Sequence, residues 1–177
     1  MDKKRTIINI LSGLFIFLIS FIIHGIYEWF PCIITSLIAP VNESIFEHIK
    51  MIFTSYMIYI ILKKIAYKKF NIIENNFLFK ELITTVLEIV LFLSIFLPLY
   101  YSHNENLMIT LFVYFITIII SMILNYFVVF KKNYKVLNIL SFIVIIIIYI
   151  LFGYFTFNPL INNFFLDPTN NSYGLNK

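Results

Sequence analysis

Five largely apolar segments long enough to cross a bilayer, the second only when a polar stretch at its start is counted, leave this chain few ways to fold. About 30 Å of hydrocarbon takes about 20 helical residues, and a segment in lipid must satisfy its backbone polar groups within itself. The chain is therefore expected to form an all-α integral membrane bundle of five transmembrane helices. They fall over residues 6–30, 42–62, 78–100, 107–130 and 136–157, with a polar tail over 158–177, all in one transmembrane domain. Composition agrees: 61% of residues are hydrophobic and 12% charged, against about 25% charged in soluble domains. A soluble chain of 177 residues could not bury so many Phe, Ile and Leu side chains. The lipid bilayer is the expected partner, and no nucleic-acid partner is expected. The single cysteine, Cys32, excludes both an internal disulfide and a thiol metal cluster.

Met1-Asp2-Lys3-Lys4-Arg5 and the run after it resemble the start of a signal peptide. No small-x-small cleavage pattern follows, so the run is read as an uncleaved first helix. Orientation comes from the basic residues. Lys3, Lys4 and Arg5 precede the first helix. Lys63, Lys64, Lys68, Lys69 and Lys80 lie around the second connection, and Lys131, Lys132 and Lys135 in the fourth. That puts eleven of the thirteen Lys and Arg on one side; Lys50 and Lys177 are the exceptions. The positive-inside rule makes that side cytoplasmic. The expected arrangement is N-terminus in, C-terminus out, in the cell (cytoplasmic) membrane.

Against this background one polar stretch stands out: Pro40-Val41-Asn42-Glu43-Ser44-Ile45-Phe46-Glu47-His48-Ile49-Lys50. Only by including it does the second helix reach about 30 Å, at 1.5 Å per residue. Glu47 and His48 are then drawn about 10 Å into the membrane. Before it, Pro31 and Pro40 bracket a segment too short to span and too apolar for a solvated loop, which fits an interfacial or re-entrant piece. The topology also gathers His24, Glu28, His103, Glu105 and Asp167 at the outer end. His24 and Glu28 are four apart and share a helix face, as do Glu43 and Glu47, with Lys50 three further on. His48 points about 100° away from Glu47.

Charges in hydrocarbon cost about 2.5–3.5 kcal/mol each on insertion scales and are functional candidates by default. The expected site is thus an outward-facing His/Glu pocket that binds a cation or a polar ligand such as a lipid headgroup. Its expected ligand-binding residues are His24, Glu28, Asn42, Glu43, Ser44, Glu47, His48, Lys50, Asp167 and Tyr173. The expected metal set is His24, His48, Glu47 and His103, with zinc the first choice of divalent metal. Two alternatives use the same residues. A metal-dependent membrane-embedded hydrolase would take a zinc-bound water as nucleophile. A non-catalytic scaffold or assembly subunit would use the stretch as glue, with Ser44 and Glu47 at capping-box spacing and Glu43, Glu47 and Lys50 as a salt-bridge stripe. Glu88, near the middle of the third span, must be protonated, paired or wet; Asn125 lies at a similar depth as a candidate partner, and the readings are a neutral, hydrogen-bonded packing glutamate or a proton or cation relay. A transport path past it would call for a homo-oligomer.

The stretch Pro40-Val41-Asn42-Glu43-Ser44 with Glu47-His48-Ile49-Lys50 resembles the hallmark of a group of small bacterial polytopic membrane proteins of unknown function. His24 with Tyr27-Glu28-Trp29, and Asp167-Pro168 with Tyr173-Gly174, are similar to that group's first helix end and C-terminal signature. The resemblance spans nearly the whole chain. It implies an ordered C-terminal tail and no reaction.

Overall fold

The computed structural model describes residues 3–103 and 106–175, with His103 described by its backbone alone. Among the described residues six helices follow one another: α1 Lys3–Trp29, α2 Ile33–Ile38, α3 Ile45–Lys69, α4 Phe77–His103, α5 Leu107–Phe127 and α6 Lys135–Phe157. All but α2 are long and apolar enough to cross a membrane. The described residues contain no strand, only an isolated bridge between Leu166 and Tyr173.

Helix α3 is the pivot, packing against α1, α2 and α4, while α5 closes on α1 and α4 and α6 lies against α2 and α4. It has the lowest mean hydropathy of the five long helices, 1.4 against 2.4 to 2.8, and 72% of its most apolar window is buried. These two facts have one cause. Residues facing lipid must be apolar, whereas a helix surrounded by protein is free to carry Glu47, Lys50, Thr54, Ser55 and Lys63 inside. Helix α6 is the converse, with a mean hydropathy of 2.8 and a face of Ile139, Phe142, Ile143, Ile147 and Ile150 left exposed. Small residues let helices close up: a Cβ on Gly13 of α1 would stand 3.4 Å from Ile118 of α5.

The helices alternate in direction, so the bundle has two distinct ends. At one end Arg5 of α1 meets Glu74 at 2.8 Å, and Asn75 and Asn76 donate to the backbone carbonyls of Phe130 and Lys132. This is the lysine end. At the other, the histidine end, the short helix α2 lies between the two prolines, and its Ser36 carbonyl accepts from Lys50 at 2.7 Å. A Cβ on Gly153 of α6 would stand 2.7 Å from a terminal methyl of Leu37, so α2 packs closely over this glycine and a larger residue would require the Leu37 side chain to shift.

The second span differs most from its expected bounds. Ser44 caps α3, accepting from the Glu47 amide at 3.4 Å, so the helix begins at Ile45, not Asn42. It continues past Lys63 because Lys63 is buried, paired with Glu81 at 2.7 Å. A paired lysine no longer ends a span. The described part of the tail, residues 158–175, packs back on the bundle. Phe165 stacks on Phe46 at 4.6 Å, the Phe46 amide donates to Phe164, and Asn42 donates to the Gly174 carbonyl at 3.0 Å.

Candidate metal centre

Three residues of the histidine end converge: His24 near the end of α1, His48 in the first turns of α3, and Glu43 in the segment leading into α3. Each can offer one ligand atom lying within 4.8 Å of the other two. Glu43 sits between the imidazoles. One carboxylate oxygen is 3.4 Å from His24 Nε2 and the other 3.4 Å from His48 Nε2. The ring centroids are 5.7 Å apart. All three side chains are partly open, at 37%, 35% and 20% exposure for His24, Glu43 and His48.

The backbone aims these groups. Asn42 accepts the Ser44 amide at 3.0 Å and donates to Gly174, which fixes the bend that carries Glu43. His48 Nδ1 lies 3.0 Å from the Ser44 carbonyl. A carbonyl only accepts, so Nδ1 carries the proton there. A neutral His48 then presents its Nε2 lone pair to a carboxylate oxygen. Two acceptors face each other, and a proton or a cation must lie between them. This is also the orientation in which histidine binds metal, its second nitrogen donating to a carbonyl. Ligands at about 2.0–2.1 Å from zinc in a tetrahedron stand about 3.3–3.4 Å apart; each nitrogen–oxygen pair has that spacing through a different Glu43 oxygen, and one atom from each of the three residues lies within 4.8 Å of the other two. The Glu43 carboxyl is held below the ordinary carboxylate range, first by its hydrogen bond with His24 and then by the fields of His48 and His24, which outweigh partial burial. Glu28, one turn beyond His24, adds its negative field to that imidazole.

A cavity of about 420 Å³ opens beside the cluster. His24, Glu43 and His48 form its polar end, and Phe21, Met51, Ile52, Phe92, Leu111 and Tyr114 form most of its apolar wall. Phe21 and Leu107 at its rim are exposed, at 48% and 71%.

The other expected site residues have different places. Glu47 was expected among the metal ligands, yet its carboxylate is fully engaged elsewhere. It pairs with Lys50 at 2.5 Å and accepts from the Val41 amide at 3.1 Å and the Thr156 hydroxyl at 2.8 Å. Lys50 in turn donates to Ser36 and Thr156, and the pair is sealed at 1% exposure or less. Glu43 occupies the place expected for Glu47 because it precedes the helix and can reach both histidines. Asn42 and Ser44 serve as the frame and not as cavity lining. Asp167 is buried in its own turn, accepting from the Thr169 amide and hydroxyl. Tyr173 packs with Phe46, Phe152 and Phe165. Neither lines the cavity, because the tail docks on the α3–α6 side. The His103 side chain and Glu105 lie outside the described residues. Asn125, expected beside Glu88, donates instead to Glu81 and Thr84, and Glu88 accepts from Thr117 at 2.8 Å.

The role of the Ser44 carbonyl and the apolar wall were not readable from spacing alone. The first depends on a helix-start backbone geometry. The second collects side chains from α1, α3, α4 and α5.

No curated protein and no solved structure matches the chain. Residues 2–175 match the model of a family of unknown function, DUF6512.

Proposed function

We propose that this chain, which belongs to that family, is a multi-pass membrane protein that binds a divalent cation, zinc first, through His24, Glu43 and His48 on the non-cytoplasmic side. The lysine end faces the cytoplasm, since it gathers eleven of the thirteen basic residues. One observation carries the reading: His24 Nε2 and His48 Nε2, the latter oriented by the Ser44 carbonyl, each lie 3.4 Å from an oxygen of Glu43. Only a proton or a cation resolves that encounter. Two histidines and one carboxylate suit zinc, with a fourth position left toward the cavity. That position supports exchange of the ion or a bound polar group. The apolar wall beside it suits the chain of an amphipathic ligand.

The test is metal content. Protein purified in detergent, stripped with chelator and reloaded with zinc should hold about one ion per chain by elemental analysis. His48→Ala and Glu43→Gln should each lower zinc affinity by tenfold or more, and Glu47→Gln should leave the stoichiometry of folded protein unchanged. Equal zinc binding by wild type and the His48→Ala variant would overturn the assignment. A hydrolase reading is favoured only if zinc-loaded protein cleaves an amphipathic ester and the stripped protein does not.

A further inference from the structure

A second polar system runs through the bundle away from the three ligands. At the lysine end Glu74 joins Arg5 and Lys80, at 2.8 and 2.7 Å. Further in, Lys63 pairs with Glu81, and Asn125 donates to Glu81 at 3.2 Å and to Thr84 at 2.6 Å. One turn along α5, Ser121 shares a hydrogen bond of 2.8 Å with Tyr56 of α3. One turn further, the Thr117 hydroxyl donates to Glu88. Tyr114, three residues on, is a wall of the cavity beside His24 and His48. The groups repeat at helical spacing, on α4 as Glu81, Thr84 and Glu88, and on α5 as Asn125, Ser121 and Thr117. They therefore lie along one stripe on the facing sides of α4 and α5.

Within it Glu88 is singular. Its side chain is fully buried at 0% exposure, near the middle of α4. The polar groups acting around it are neutral: Tyr56 from α3, and Tyr114, Thr117 and Ser121 from α5. The cations of the stripe are engaged with Glu74 and Glu81, and among the described residues none pairs with Glu88. An ionised carboxylate without a counter-ion is costly at this depth, so Glu88 rests as a carboxylic acid. One of its oxygens, Oε2, and the Tyr114 hydroxyl are both buried without a hydrogen-bond partner. Structural glue calls for satisfied groups. Two oxygens without a hydrogen-bond partner, one on the acid itself and one on Tyr114 toward the cavity, suit a group that must pass its proton on, with water completing the links.

We propose that this stripe carries protons between the two faces of the membrane, with Glu88 as the mid-span carrier and Tyr114 as its link to the cavity at the histidine end. Each step breaks one O–H bond at the donor and forms one at the acceptor. The charge moved is the proton alone. The stripe lies within a single chain, so this path needs no oligomeric pore. It is also independent of the metal assignment.

The test is proton flux into sealed vesicles containing the reconstituted protein, driven by a potassium diffusion potential and read by an internal pH dye. It is run with zinc and with chelator. Wild-type vesicles should acidify at least tenfold faster than protein-free vesicles in one of the two conditions. Glu88→Gln should abolish the difference while binding zinc as wild type does. As a check that needs no variant, a hydrophobic carbodiimide should label Glu88 in the folded wild type, located by mass spectrometry, and stop the flux. Flux no greater than in protein-free vesicles under both conditions, wild-type flux in Glu88→Gln, or flux that survives labelling at Glu88 would overturn the proposal. None of these results touches zinc binding.

Discussion

Removing the Lys50 charge tests how the bundle tolerates ions in its core. Lys50 Nζ holds Glu47 at 2.5 Å, the Ser36 carbonyl at 2.7 Å and the Thr156 hydroxyl at 2.9 Å, with no exposure to solvent. Lys50→Met keeps the length and apolar stem of the side chain but strands the Glu47 carboxylate, which retains only the Val41 amide and Thr156. Breaking a buried pair from one side costs about 3–5 kcal/mol, because the remaining charge is uncompensated. The Ser36 carbonyl also loses its donor. Adding Glu47→Gln to Lys50→Met removes the stranded charge, keeps one acceptor oxygen for the Val41 amide, and lets the new NH2 donate to the Thr156 hydroxyl that Lys50 no longer occupies. The double variant should therefore be about 2–3 kcal/mol more stable than Lys50→Met alone, a coupling within the range for residues in direct contact. Reversible unfolding in mixed micelles, followed by far-ultraviolet circular dichroism, measures all three chains against wild type. A Lys50→Met loss under about 1 kcal/mol, or a double variant less stable than the single, would refute the buried-pair argument.

Zinc affinity should rise with pH through the range in which the imidazoles lose their protons, because bound metal displaces those protons. Titration calorimetry should show a plateau above that range. Glu43 does not limit it, since its carboxyl is held below its ordinary value of 4.5. By the same sign, the stabilisation Glu43 contributes is complete above about 4.5 and is lost as pH falls through its lowered folded value. Glu43→Gln should flatten that acid limb in an unfolding series. Gly174→Ala should loosen the tail. Gly174 has φ +53°, and a Cβ there would lie 2.5 Å from the Thr156 carbonyl. A loss of about 1–3 kcal/mol is expected, measurable as faster protease cleavage of the C-terminus.

The number and order of the long helices were legible in the chain because lipid imposes a simple rule, apolar residues over a fixed length. Their bounds shifted where that rule is relaxed. Leu62 looked like the last residue of a span only because a lysine follows it, and Lys63 turned out to be paired inside. The histidines could be assigned to one end from helix count alone, since alternating crossings force residues 24 and 48 together. Which carboxylate meets them could not. Glu43 and Glu47 are one helical turn apart by spacing and equivalent by chemistry. They are separated only by where Ser44 starts the helix, which leaves Glu43 in the loop and turns Glu47 toward Lys50 and Thr156 of α6. Local sequence thus determined that ionisable groups would collect at the histidine end. Their division into a sealed ion pair and an open cluster of His24, Glu43 and His48 was decided by contacts across more than 100 residues of chain, Glu47 to Thr156 and Asn42 to Gly174, which no periodicity encodes.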